Sequence, residues 1–314
     1  MGKSLEQVEF LLNPDIKYCS PIMEQVAQIL EWPFSIEDYT ICLESFEKFW
    51  FFVAIDKETG EPIGSVNLGF ERSISGNEEE DCYCLGMYYV REDWRHTGVG
   101  SALFKKVMEI GKGSNMVLLG VLEMSQKYAT KYGFNKMPKY VYILANIPIE
   151  HLVIPDPDPR YILKDFKDIE LAKLLAYDAS ISHRNRGKFL YNFITKCKCY
   201  CKVALDPSGE IVGYCNIRVA YANFLAVSPL YADNEAIAQT LFAGVLSMIK
   251  DIKKYRFIEI HYPEFNKEAQ RLCEFVGGGH THAQPYLQCA FTKKVLPVDE
   301  AKVFGIVDGT NTFV

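Results

Sequence analysis

The chain predicts an α/β (α+β) protein made of two tandem units, each a mixed central sheet flanked by helices. Three observations carry this. Its 314 residues are 49% hydrophobic, enough for two cores of ordinary domain size. Strand-length apolar runs and helical periodicities recur in similar order in both halves. Between the halves, residues 147–160 hold Pro148, Pro155, Pro157 and Pro159 and no periodicity, which suits a linker because proline removes a ladder donor and X-Pro steps disfavour helix. The expected division is a first domain over 1–147, a Pro-rich linker over 148–160, a second domain over 161–296 and a tail over 297–314.

Residues 8–12 are the first strand candidate, closed by Asn13 and Pro14. Ile22, Val26, Ile29 and Leu30 recur at helical spacing within 21–32, and a second helix opens at Ser35, with Asp38 as an acidic variant of a capping box. Residues 51–55 and 63–70 flank a polar turn and read as a hairpin. An acidic loop, 77–81, leads to the aromatic-rich strand 83–90. Then comes Arg95-His96-Thr97-Gly98-Val99-Gly100, ahead of a helix carrying Leu103, Phe104, Val107 and Met108 on one face. A buried strand over 116–122, a helix over 125–132 stopped by Gly133, and a closing strand over 140–145 complete the half.

The order resumes with a strand at Ile162, helices over 169–178 and 186–194, and strands 200–205 and 211–219 around Pro207-Ser208-Gly209. A strand over 223–227, a long helix over 234–252, a strand over 257–261, a helix over 267–275 and a strand over 287–291 follow. The tail is apolar enough to pack as a strand or an extended arm.

Charge removes several function classes. Lys plus Arg number 34 against 40 Asp plus Glu, which gives no electrostatic reason to expect nucleic acid or an anionic membrane as partner. No uncharged apolar run approaches bilayer length, and the first residues lack a signal-peptide core. Gly2 is followed by Glu6 where a myristoylation signal needs Ser or Thr. A cytoplasmic location with reduced thiols is expected; the oligomeric state is not legible. The ten cysteines are few for this length, and several, such as Cys197, Cys199 and Cys201, alternate without the Cys-x2-4-Cys knuckle of a structural zinc site. No metal is expected.

Gly98 and Gly100 between a strand and a helix let backbone N–H groups converge on a ligand, and the helix adds its positive end, a combination that suits a pyrophosphate. Arg95 stands where it can help neutralise phosphates. The spacing is neither a nucleotide-hydrolase phosphate loop nor Gly-x-Gly-x-x-Gly.

Val90 with Arg95-His96-Thr97-Gly98-Val99-Gly100, Ala102 and Leu103, then the strand at 116–122 and Tyr132-Gly133-Phe134, resembles the GCN5-related N-acetyltransferase (GNAT) superfamily over residues 6–146. That resemblance implies acetyl-CoA as cosubstrate. It would be held by Tyr88, Tyr89 and Val90 on a splayed strand and by Arg95, His96, Thr97, Gly98, Val99, Gly100 and Ser101 around the diphosphate. It implies transfer of an acetyl group from the thioester to a primary amine, with the Tyr89 or Val90 amide polarising the carbonyl. The usual tyrosine acid falls at Ala129, leaving Tyr128 and Tyr132 as alternatives. Glu123 is a candidate base, as are Glu80 and Asp81 before the opposite strand. A small-molecule amine is the expected acceptor, because the acidic residues are concentrated in one short stretch, 78–81. A non-catalytic acyl-CoA binder or sensor, or a structural module of two such folds, are the alternatives.

The second half resembles the C-terminal domain of two-domain acetyltransferases of bacteria and nematodes. The resemblance rests on residues 178–186, on Pro229-Leu230-Tyr231-Ala232-Asp233-Asn234, and on Asn266 and Ala269 ahead of Gly277. Its diphosphate turn lacks glycines and carries Asp233, so a degenerate copy, and one CoA per chain, is expected. His183-Arg184-Asn185-Arg186 reads either as a cap with a solvated basic turn or as an anion contact. Trp32, Phe34, Trp50 and Phe51 either roof an acceptor pocket or fill core.

Overall fold

A computed structural model describes residues 2–314. The first half runs β1 (Val8–Leu12), α1 (Ile16–Leu30), α2 (Asp38–Ser45), β2 (Phe49–Asp56), β3 (Pro62–Glu71), β4 (Cys82–Val90), α3 (Val99–Ile110), β5 (Met116–Val121), α4 (Leu122–Tyr132) and β6 (Tyr142–Pro148). The second runs β7 (Ile162–Asp165), α5 (Leu171–Ser182), α6 (Gly187–Lys196), β8 (Cys199–Leu205), β9 (Ile211–Val219), β10 (Leu225–Ala232), α7 (Glu235–Leu246), β11 (Phe257–Pro263), α8 (Lys267–Val276), β12 (His282–Phe291) and β13 (Val303–Gly305). Each half lays down four antiparallel strands and then one parallel step, β4 to β5 and β10 to β11.

At that point the halves exchange strands. The sheet order is β1-β2-β3-β4-β5-β12-β6-β11-β10-β9-β8-β7, with β13 against β10. β12 pairs with β5 from Leu287 opposite Val121 to Phe291 opposite Val117. β6 pairs with β11 from Tyr142 opposite Pro263 to Pro148 opposite Phe257. The strand expected to close the first half therefore closes the second, and the reverse. A period of two states which face a residue occupies and leaves the neighbouring strand unspecified.

Local differences have local causes. α1 opens at Ile16 rather than Pro21, because the Asp15 carboxylate accepts from Lys17 N at 3.0 Å, and Pro21 is carried inside the helix. β10 continues through Pro229 to Ala232, where a strand ending at Val227 and a turn were expected. The β9–β10 register shifts between Val227 and Leu230, and such an irregularity tolerates a residue with no N–H. α7 ends at Leu246, short of the expected 252.

The cores follow the periodicities. Val99, Leu103, Phe104 and Val107 of α3 are buried against the first sheet, and Ile237, Leu241, Phe242, Val245 and Leu246 of α7 against the second. Each such side chain contributes about 1.5–3 kcal/mol. Two buried ion pairs lie where the halves meet. Asp38 of α2 pairs with Arg218 of β9. Arg186 pairs with Asp178 at 3.0 Å and also donates to Thr312 Oγ1 and to the Phe313 and Val314 carbonyls. Arg184 and Arg186 are buried while Asn185 is exposed, so the two cations of this turn are not solvated: Arg186 anchors the tail and Arg184 the first half's 80–82 segment. The tail is both strand and arm: β13 lies on β10, and Asn311, Thr312, Phe313 and Val314 are buried beyond it. None of the described helices is long and apolar enough to cross a membrane.

Candidate active site

The strand that carries the aromatic run bends away from its neighbour. The β3–β4 register shifts between Ser65 and Asn67, and Met87 at this irregularity takes φ +49°. Parallel pairing of β4 with β5 is confined to Tyr83–Leu85 against Met116–Leu118. Past it the strands enclose a cavity of about 750 Å³, lined by Gly86 to Val90 on one side and Leu118 to Val121 on the other. Arg91 N donates to Ile63 O at 2.8 Å, so ladder alternation turns the Val90 N–H and C=O toward the gap. Arg95 Nε reaches the Val90 carbonyl at 3.3 Å. A Cβ on Gly86 would stand 1.5 Å from the Thr310 carbonyl oxygen, so the tail backbone packs directly on this strand.

At one end of the cavity α3 begins. Gly98 is its N-cap at φ +96°, and no side chain caps it, so the first amides of the helix have no partner of their own and the positive end is open. Arg95, His96, Gly98, Gly100 and Ser101 line the cavity. Thr97 and Val99 face inward, Thr97 Oγ1 donating to Trp94 O at 2.7 Å and Val99 lying in the core; only their backbone can meet a ligand. A Cβ on Gly100 would lie 2.6 Å from Tyr88 Oη. Lys127 and Lys131 of α4 also line this space, with Lys131 Nζ 3.0 Å from Ser101 Oγ. An anion with several acceptor oxygens fits such a set.

Of the acid candidates, Tyr128 lines the cavity, whereas Ala129 and Tyr132 do not. The Tyr128 ring stacks on Phe104 at 5.8 Å and fits because Gly120 of β5 lacks a Cβ, which would come within 2.8 Å of it. Burial first, then Tyr88 and Tyr132, hold its phenol well above the ordinary tyrosine value. It stays protonated at neutral pH, a donor and not a base. Tyr88 is pushed up to about 12, again mainly by burial. Tyr132 lies flat on Phe104 at 3.7 Å, its hydroxyl buried without a partner among the described residues. Glu123 lines the cavity from the first turn of α4.

The equivalent opening in the second half is closed by the chain itself. Asn234 caps α7 by accepting from Ile237 N at 3.1 Å, and Glu268 accepts from Glu235 N at 2.8 Å. Asp233 is held by Lys302 at 3.0 Å and by Tyr177 Oη at 3.1 Å. β13 lies where β10 and β11 part: Gly305 pairs with Leu230, and Ile306 N donates to His261 O at 2.9 Å.

Several cavity residues escaped sequence reasoning: Lys127, Lys131, His261, Tyr286 and the 308–310 segment. A signal existed for two of them, since Glu123, Lys127 and Lys131 fall four residues apart on one helix face. His261, Tyr286 and the tail arrive from far along the chain and had none. Trp32 lines the cavity, while Phe34 and Phe51 are buried core and Trp50 packs partly buried on the first core. The acidic stretch lies elsewhere; Glu80 accepts from Ser73 and Ser75 at 3.0 and 2.8 Å. Among the described residues, the metal-ligand types that converge are Glu71, Cys82 and Cys84. Burial first, and then Cys82, raise the Cys84 thiol well above its usual value, which opposes the thiolate a metal needs.

A sheet parted beside an uncapped helix, repeated once with the second copy filled, defines a tandem acetyltransferase scaffold. The chain belongs to the GCN5-related N-acetyltransferase superfamily: residues 21–134 match the Acetyltransferase (GNAT) family and residues 174–305 the Acetyltransferase (GNAT) domain. It is 27% identical over 190 residues to an uncharacterized Caenorhabditis elegans protein, covering 56% of this chain and 59% of that one. The fold matches a Pyrococcus horikoshii protein provisionally assigned as an acetyltransferase (TM-score 0.72, 14% identity, 99% and 98% of the two chains covered). It also matches a tandem GNAT protein from the clavulanic acid biosynthesis pathway (0.62, 14%, 90% and 97%). A third match is Saccharomyces cerevisiae N-myristoyltransferase with bound myristoyl-CoA (0.61, 11%, 97% and 90%).

Proposed function

We propose that the protein is an acetyl-CoA-dependent N-acyltransferase that acetylates a primary amine of a small molecule. The observation that carries this is the cavity between β4 and β5, with free helix-terminal amides, Arg95 and Lys131 at one end and Lys127 beside them along α4. Those groups suit the diphosphate, and the open edge of β4 suits the pantetheine amides and, farther from α3, the thioester carbonyl. Tyr128 is the acid for the departing thiolate and Glu123 attracts the amine.

The test is release of free CoA across polyamines, arylalkylamines, amino acids and lysine peptides. A chain that binds acetyl-CoA and releases CoA with none of them is a sensor and not an enzyme; a peptide preferred by a hundredfold over every small amine would remove the small-molecule reading. Tyr128→Phe should lower kcat by roughly 10²-fold or more, with acetyl-CoA affinity unchanged. Unaltered kcat would mean that water protonates the thiolate.

Calorimetry should give one acetyl-CoA per chain. Asn234, Glu268 and β13 occupy the groups that a second molecule would need, and saturation at two would refute this.

A further inference from the structure

Resting on that transferase reading, we propose that His261, carried by the second half, takes the proton of the acceptor amine, in a subsite that favours amines bearing no carboxylate. His261 shares a face of β11 with Glu259, opposite the face on which Ile258, Ile260 and Tyr262 pack into the second core. It lines the cavity; its Nε2 is buried with no partner among the described residues, and its Nδ1 is 3.7 Å from Glu259 Oε1. The Tyr286 ring stacks on it at 5.8 Å, and Tyr286 Oη accepts from Trp32 Nε1 at 3.2 Å. A buried polar nitrogen left without a partner is costly and uncommon, and a ligand N–H removes that cost. Burial lowers the imidazole to about 4, so it is neutral, with one nitrogen free to accept.

The two ends of the cavity differ in charge. Along α4, Lys131 stands at the α3 end and Glu123 about 12 Å away, two turns back. Glu259 stands at this end, 3.7 Å from His261; burial, opposed by the Trp32 hydrogen bond and aided by Glu259 and Glu123, raises the Tyr286 phenol. Asp308 lines the cavity as well. Burial raises Asp308, and burial with Glu31 raises Glu259 to about 8. An ammonium arriving beside Glu259 favours its ionised form, and these carboxyls oppose a ligand carboxylate. Of the Lys and Arg residues lining the cavity, Arg95 and Lys131 stand at the α3 end and Lys127 lies on α4 midway between Lys131 and Glu123, so the carboxyls of Glu123 and Glu259 outnumber the cations at this end and disfavour an acid group. Trp32, Tyr286, Leu30 and Pro33 offer an apolar wall for the body of the amine.

In the transfer, the bound ammonium first releases one proton to water; the freed lone pair then forms the C–N bond to the thioester carbonyl carbon and the C–S bond breaks. The nitrogen's proton passes to His261 Nε2, and sulfur receives one from Tyr128 Oη. A nitrogen becoming an amide sheds its proton readily, so an imidazole of lowered basicity can receive it. Both side chains then re-equilibrate with water.

The experiment uses the full chain with His261→Ala and His261→Gln, phenethylamine, and phenylalanine as its carboxylated counterpart. Acetyl-CoA affinity should stay within about twofold, kcat with phenethylamine should fall roughly 10²–10⁴-fold, and the wild type should use phenylalanine at least about tenfold less efficiently. Calorimetric binding of phenethylamine to the CoA complex should weaken about tenfold in His261→Ala. Turnover within threefold of wild type in both variants, equal use of phenylalanine, or loss of acetyl-CoA binding in parallel with activity overturns the proposal. If the wild type binds phenethylamine through His261 but acetylates nothing, the transferase reading fails and the subsite stands; absence of amine binding removes the subsite.

Discussion

Gly100→Val is expected to abolish acetyl-CoA binding, weakening it by roughly a hundredfold or more. A Cβ at this position meets Tyr88 Oη at 2.6 Å and Val90 Cγ2 at 3.3 Å, and neither neighbour yields easily. The Tyr88 ring is held edge-on by Phe104 at 5.1 Å, and Val90 is fixed opposite Gly64 in the β3–β4 ladder. The added methyls would then occupy the space in front of the α3 amides. Losing two charge-assisted hydrogen bonds removes about 3–6 kcal/mol, and about 1.4 kcal/mol is tenfold in affinity. Calorimetry with acetyl-CoA checks this, with an unchanged thermal transition as the control for folding. Affinity within about fivefold of the wild type would mean that the diphosphate does not sit at this loop.

Arg186→Met should destabilise the fold by about 3–5 kcal/mol, because it strands the Asp178 carboxylate in the interior. Asp178 is 2% exposed and Arg186 is 3% exposed. Tyr214 Oη donates to Asp178 at 2.6 Å and Arg186 Nη2 donates to Tyr231 Oη at 3.0 Å, so the site is organised around the paired charges. The same guanidinium holds the carbonyls of Phe313 and Val314. Its loss should also loosen the 308–310 segment at the cavity and weaken amine binding. Urea unfolding measures the first effect. A change below about 1 kcal/mol would show that the network is dispensable. Asp178→Leu together with Arg186→Met should recover part of the stability, since a buried pair replaced by apolar groups is far less costly than a broken one.

The loop proposed to hold the diphosphate was the most legible part of the candidate site, and the reason is local. Gly98 needs positive φ and Gly100 needs a bare backbone beside Tyr88; both demands fall on residues adjacent in sequence, so they leave a contiguous motif. The helix face of Leu103, Phe104 and Val107 was equally plain, because a helix's own period carries it. The proposed acid was harder. Ala129 stands in the usual position, and Tyr128 comes to the cavity through Gly120 on another element, a relation that no spacing within α4 expresses. The closing of the second half was legible in part: Asp233 and the missing glycines marked a turn poorly suited to a diphosphate, whereas Pro229 lies within β10 and takes no part in that turn, and the residues that fill the opening are Glu268 and β13, from farther along the chain.

The amino-acid sequence by itself determined two α/β units, their order of elements, and a glycine turn ahead of α3 with no counterpart ahead of α7. These follow from periodicity and from backbone demands that only certain residues meet. Tertiary structure decided the exchange of β6 and β12, the burial of Arg184 and Arg186, and the delivery of His261, Tyr286 and residues 308–310 to the first half's cavity. An apolar strand is equally satisfied by any partner that covers its faces and completes its ladder. Which partner it takes is settled by the free energy of the whole packed sheet, to which residues more than a hundred positions apart contribute together.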